Sequence, residues 1–298
     1  MQVRFFHSAR RCNSALLPLS DDRLSLLLQF RIELIRVEPS TTLSLHDGIS
    51  FSNGVLHDNV DGHHVNFPLN PWTDAEWERF RAGFVRVLCD YWDGKFRLTP
   101  TEPWYSRSGA RRASVIDCNL SVELVSAGAH HRYYIAKPRA AASGEGFRSF
   151  ADATRRMALL TSNDLGHERT ERRVRVTTPS GSERHRIATR QCTALHEFGH
   201  TLGLDHTNGT GNGASAYGNT FTQWMDIMGG GEMLTARSMQ PWIRRLDRHL
   251  RRQSGHADAD VRFRASALQP QRVTYVDLDP SPVRPAPPRR VSSAVGHH

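Results

Sequence analysis

The 298-residue chain has almost no lysine, only four cysteines and no apolar run approaching 18 residues. Without such a run, no transmembrane helix is expected. The opening stretch MQVRFFHSARRCNSALLPLSDD is basic but lacks an unbroken apolar segment of signal-peptide length. The expectation is therefore a cytoplasmic protein, or one exported by a route other than Sec. Cys12, Cys89, Cys118 and Cys192 are too few and too scattered for a disulfide scaffold, and their spacing resembles no zinc site. One or two bridges remain open to them. Lysine occurs only at Lys95 and Lys137, so 37 of the 39 basic residues are Arg, and the formal net charge is +9. Such a charge raises nucleic acid or an anionic membrane as a partner. The skew toward Arg reads more simply as a trace of genome composition. The run Arg244, Arg245, Arg248, Arg251 and Arg252 recurs around Asp247 at the spacing of a solvated helix face. No nucleic-acid partner is expected.

What the chain does have is His196-Glu197-Phe198-Gly199-His200-Thr201-Leu202-Gly203-Leu204-Asp205-His206. On a helix, residues four apart lie nearly above one another, so His196 and His200 can aim their imidazoles at one ion, with Glu197 beside it. Gly203 can take a left-handed conformation, end the helix and return the chain so that His206 approaches as a third ligand. Three neutral imidazoles leave one tetrahedral position open, which is the arrangement of one catalytic zinc ion.

This H-E-x-x-H-x-x-G-x-x-H spacing resembles that of the metzincin clan of zinc metallopeptidases. Five fixed residues in eleven would match by chance in roughly one chain in a hundred thousand of this length, so the pattern carries weight. The wording HEFGHTLGLDHT is most similar to the matrix-metallopeptidase branch, in which Ser or Thr commonly follows the third His, here Thr207. The resemblance implies a Met-containing turn beneath the ligands. Met228, followed by Gly229, Gly230 and Gly231, is the better candidate, with Met225 as the alternative. No Tyr stands two residues after Met228, so the extra Tyr ligand of astacin-like relatives is missing, and Tyr217 does not match that position. Arg11-Cys12-Asn13 is not a cysteine switch.

Along the rest of the chain, Leu24 to Val37 alternates as a strand, and Gly48–Gly54 and His63–Leu69 read as shorter strands with turns at Asn53-Gly54 and Asp61-Gly62. Thr73 and Glu76 form a capping box before the apolar stripe Trp77, Phe80, Phe84, Leu88 and Trp92. Strands follow at Lys95–Leu98, Ser114–Val125 and Arg132–Ala136, then a helix over Phe147–Leu160 and a strand at Arg172–Thr178. A second capping box at Ser180–Glu183 would open a long active-site helix carrying Ile187, Gln191, Leu195, Phe198 and Leu202. A helix from about Met239 to Arg252 and a strand at Arg272–Leu278 complete the order, and the Pro- and Arg-rich end from Pro280 to His298 reads as disordered. His63-His64 and His130-His131 are adjacent pairs, read as surface or hydrogen-bonded polar groups.

This order implies an α+β fold of metzincin type: a twisted mixed sheet backed by two long helices, with a smaller C-terminal subdomain below the zinc cleft. The expected divisions are an N-terminal extension (1–22), an upper subdomain (23–203), a lower subdomain with His206 and Met228 (204–255), and a C-terminal extension (256–298). The implied function is zinc-dependent endopeptidase, with Glu197 as general base. The substrate, a protein or peptide, would lie along an edge strand, either Arg172–Thr178 or Arg132–Ala136. Any inhibitor or immunity partner stays open. The alternatives are an inactive metzincin-like peptide-binding protein, and an Arg-rich nucleic-acid-binding protein with structural zinc.

Overall fold

The alternating segment Arg23–Arg36 is the axis of the molecule. The computed structural model describes residues 5–7, 9–45, 48–59, 64–101, 103, 114–139, 147, 149–178, 181–209, 211, 213–253, 263–268 and 275–278. In chain order the elements are β1 (Phe5–His7), β2 (Asn13–Pro18), β3 (Arg23–Arg36), β4 (Leu43–Ser44), β5 (Ile49–Ser52), β6 (Val55–Asp58) and β7 (Val65–Pro68). There follow α1 (Asp74–Trp92), β8 (Phe96–Pro100), β9 (Val115–Leu124), β10 (His131–Ala136), β11 (Phe150–Asp152), β12 (Met157–Thr161), β13 (His167–Thr178) and β14 (Gly181–Cys192). Last come α2 (Thr193–Leu202), α3 (Phe221–Met225), α4 (Gln240–Gln253), β15 (Phe263–Ala267) and β16 (Tyr275–Asp277).

A nine-stranded mixed sheet is ordered β11-β12-β10-β3-β9-β8-β15, with β2 also paired to β3 and β1 to β2. β9 runs parallel to β3 along one edge, while β2 and then β10 occupy successive stretches of the other. The segment 125–130 carries the chain across β3, so Leu124 and His131 both lie opposite Ile32. Residues 13–18 are therefore part of the central sheet. Two smaller sheets are ordered β13-β14-β16 and β4-β5-β6-β7. In the second, Asn53 (φ 50°) and Gly54 (φ 76°) make the two-residue hairpin turn that Asn-Gly foreshadows.

Leu26, Leu28, Phe30 and Ile32 of β3 share one core with Phe84, Leu88 and Trp92 of α1, Leu195 and Phe198 of α2, and Trp242, Leu246 and Leu250 of α4. α1 begins as expected, with the Thr73 side chain accepting from the Glu76 N–H and the Glu76 carboxylate accepting in return. Its Trp92 ring and the Phe30 ring lie 6.4 and 5.3 Å from that of Phe198, which ties α2 to both helix and sheet. All four cysteines are free thiols, three of them buried.

The expected two-helix backing is corrected by the structure. The chain is mostly β, with four helices among the described residues, and two stretches expected as helix are strands. Within Phe147–Leu160, the Asp152 carboxylate accepts from the N–H groups of Thr154 and Arg155, an Asx-type turn that diverts the backbone from a helical path. Arg156 then takes a left-handed φ of 59°, and Ala158, Leu159 and Leu160 are buried as a strand between β10 and β11. Residues 181–192 pair with β13 along their whole length, which leaves α2 only 10 residues long. The spacing of four between Ile187 and Gln191 fits a helix turn, but it equally puts both on one face of a strand. The expected disordered end, Asp61-Gly62 and His63 lie outside the described residues. Among the described residues no helix is long and apolar enough to cross a membrane.

Candidate metal centre

α2 starts where β14 ends, and its first turn is anchored by the Asp164 loop: the Asp164 carbonyl accepts from the Ala194 N–H at 3.0 Å and the Cys192 thiol at 3.2 Å. Gly203 ends the helix in the left-handed conformation (φ 89°, ψ 29°), and the Leu204 N–H reaches back to the Gly199 carbonyl at 3.0 Å. This end is the one expected from the motif. It delivers His206 to the face of α2 that carries His196 and His200.

Each of the three imidazoles donates from Nδ1 to a backbone carbonyl. His196 Nδ1 bonds Ile227 O at 2.7 Å, His200 Nδ1 bonds Leu204 O at 2.8 Å, and His206 Nδ1 bonds Gly211 O at 2.9 Å. A carbonyl oxygen only accepts, so Nδ1 carries the proton of each neutral ring and Nε2 carries a lone pair. Burial, then the neighbouring imidazoles, holds His196 well below its ordinary value. Burial also pushes His200 down to about 4 and lowers His206. The rings are thus neutral, as metal ligands must be.

The Nε2 atoms of His206 and His196 lie 3.3 Å apart, and those of His206 and His200 3.1 Å. With no proton on either atom these are facing lone pairs, which a shared cation would stabilise. Zinc–nitrogen bonds of 2.0–2.1 Å at tetrahedral angles would put ligand nitrogens about 3.3–3.4 Å apart. The donor set therefore fits zinc in type, in tautomer and in separation.

Beneath the ligands lies the segment 226–231. The Asp226 carboxylate accepts from the Met228 N–H at 2.8 Å and the Thr235 hydroxyl at 2.6 Å, and burial raises its pKa. The Gln191 amide nitrogen, from β14, lies 2.9, 3.0 and 2.9 Å from the carbonyls of Ile227, Gly229 and Gly231, which share its two hydrogens. Met228 is buried, its thioether against the Cα of Gly199 on α2, and its carbonyl accepts from the Thr207 N–H at 3.3 Å, next to His206. Met225 packs elsewhere, with Val174, Ile187 and Trp224. The three glycines are needed for close approach: a Cβ on Gly229 would stand 2.2 Å from the Gln223 carbonyl, and one on Gly230 2.1 Å from the Trp224 ring.

Glu197 is buried on α2 directly after His196. Tyr217, set aside at the sequence level, lies with its ring centroid 4.1 Å from that of His206 and 5.7 Å from that of His196. Nothing in its loop sequence signals this placement. Gln191 and Asp226 were also missed, although Asp two residues before Met228 is a recognisable turn signal. Of the two strands considered for substrate, β10 lies inside the large sheet between β12 and β3, whereas β13 is an edge. The Arg175 N–H on that edge donates to the Asn219 carbonyl at 2.8 Å. His130 accepts from the Arg31 N–H, His131 bonds the Arg11 carbonyl, and both are buried away from the triad. His64 is exposed and bonds Asn59.

Among the described residues, His196, His200 and His206 form the one group of three or more His, Cys, Asp or Glu side chains able to hold a metal ion. No protein-family model, no curated protein and no solved structure matches this chain.

Proposed function

We propose that the chain is a zinc-dependent endopeptidase, with His196, His200 and His206 as ligands and Glu197 as general base. The observation that carries this reading is the convergence of three lone-pair Nε2 atoms, each ring held by an Nδ1–carbonyl bond. When bound, zinc supplies Lewis acidity to a scissile carbonyl and acidity to water. The carboxylate of Glu197 takes a proton from the attacking water and passes it to the leaving amine. Met228 forms the apolar floor under α2, and an extended substrate would lie along the part of the β13 edge that Asn219 and Thr220 do not already cover. The resemblance to metzincins supports the reading through the eleven-residue motif and the place of Met228, not through the sheet and helix arrangement.

The test is Glu197→Gln, which keeps shape and removes the base. Zinc content and thermal stability should stay near those of the parent, while hydrolysis of a mixed peptide library falls at least about 100-fold. Hydrolysis retained by the zinc-loaded variant would contradict the assignment. Zinc binding without hydrolysis in parent and variant alike would favour a peptide-binding or structural-zinc protein.

A further inference from the structure

The sheet β4-β5-β6-β7 has two unlike faces. Ile49 and Phe51 of β5, Leu56 of β6 and Phe67 of β7 are buried in a core separate from the one that holds α2. Alternation turns Ser50, Ser52, Val55, His57, Asn66 and Pro68 to the opposite face, where Ser50 and Asn66 flank His57 in register and Ser52 lies diagonal to it. A directed chain of hydrogen bonds crosses that face. His57 Nδ1 lies 2.7 Å from Asn66 Oδ1, and His57 Nε2 lies 2.9 Å from Ser52 Oγ. An amide oxygen only accepts, so Nδ1 carries the proton of the neutral ring, and Nε2, left with a lone pair, accepts from the Ser52 hydroxyl. A serine bonded to a base that a third side chain orients is the arrangement that activates a nucleophile.

We propose that Ser52, His57 and Asn66 form a second site, independent of metal, that transfers the acyl group of a small carboxylic ester. Ser52 Oγ bonds to the ester carbonyl carbon while its proton passes to His57 Nε2. The bond from that carbon to the alcohol oxygen then breaks, and His57 gives the proton to the departing oxygen. Water repeats the sequence on the acyl-serine and releases the acid. Asn66 is a positioning residue, holding the tautomer and the plane of the ring. The turn after Ser52 provides for the oxyanion: Asn53 (φ 50°) and Gly54 (φ 76°) are both left-handed, and neither N–H has a hydrogen-bond acceptor among the described residues. Successive amides of such a turn make a concavity for an anion. Val55, paired with Ser52, and Pro68, paired with Val55, give apolar surface for a short acyl chain. Ser52 and His57 are half-buried and Asn66 is exposed, so the hydroxyl can be reached from solvent.

The experiment treats the full chain with a fluorophosphonate, with chelator present so that the metal centre contributes nothing. This probe reacts once: Ser52 Oγ bonds to phosphorus, fluoride leaves and His57 takes the proton. Intact mass should show a single phosphonyl group, and peptide mapping should place it on Ser52. Under the same conditions p-nitrophenyl acetate should be hydrolysed. Ser52→Ala should abolish the label, and His57→Gln should slow labelling at least about 100-fold, the lower end of what a general base contributes. Circular dichroism of both variants should match the parent, because these side chains lie on the face away from the core. If Ser52→Ala fails to fold, His57→Gln carries the test alone. The proposal is overturned if the folded parent takes no label, if the label lies on Ser50 or elsewhere, or if His57→Gln reacts at the parent rate. Ester hydrolysis undiminished in Ser52→Ala overturns it as well, since acylation would then belong to an imidazole acting alone.

Discussion

Gly199 lies mid-helix, where Ala would ordinarily be the better residue by about 1 kcal/mol. Its position here reverses that preference. A Cβ added at Gly199 would stand 2.3 Å from Met228 Sδ and 3.3 Å from its Cε, with Trp92 Cζ2 at 3.7 Å. Carbon and sulfur prefer separations of about 3.5–4 Å, so the overlap with sulfur exceeds about 1 Å. Met228 is only 2% exposed and has no solvent to swing into. Overpacking of a closed core costs about 1–3 kcal/mol, which cancels or outweighs the helix gain and leaves Gly199→Ala destabilising by up to about 2 kcal/mol. Met228→Ala vacates the thioether's space, so in that background the same substitution should become stabilising by up to about 1 kcal/mol. Urea unfolding of the four proteins of this cycle, with chelator present so that metal linkage does not contribute, measures the coupling directly. Equal destabilisation in both backgrounds, or stabilisation in the parent, would refute the packing of Met228 against the metal helix.

His206→Ala removes the ligand that both short Nε2 separations share, so elemental analysis should find zinc substantially lost, and full retention would place the metal elsewhere. Gly230→Ala should cost about 3 kcal/mol or more, because the added carbon would meet the Trp224 ring at 2.1 Å, and chemical denaturation with an unshifted midpoint would reject that contact. Burial pushes His131 down to about 4 from 6.5, so the unfolded chain binds more protons between those values and stability is lost as pH falls through that window; His131→Gln should flatten it. Burial raises Asp164 to about 6 from 3.8, so its contribution runs the other way and is lost as pH rises; Asp164→Asn should steepen the acid-side decline, and an unchanged pH–stability curve would refute the assignment.

The parts of the fold that could be read from sequence were those with two concordant local signals. α1 has a capping box at Thr73 and Glu76 and a stripe from Phe80 to Trp92, and no strand reading satisfies both. Residues 181–192 offered a spacing of four, which a helix and a strand share, and only their pairing with β13 decides between them. Residues 150–161 failed for a different reason. Their apolar positions fit a helix, but the Asp152 carboxylate captures two backbone N–H groups and Arg156 turns left-handed, and a side chain competing locally for the backbone outweighs periodicity.

The candidate metal centre was legible because its three histidines are local: a helix turn brings His196 and His200 together, and one left-handed glycine returns His206. What prepares those ligands is not local. Ile227, Gly211 and Leu204 act through backbone carbonyls, which any residue could supply, so no side-chain identity announces them. Gln191 and Asp226 fix the segment that presents one of those carbonyls, and they belong to a strand and a turn on opposite sides of α2 in the chain. A motif search sees which atoms could bind an ion; the tautomer that makes them able to bind it is set by backbone geometry that only the assembled fold provides.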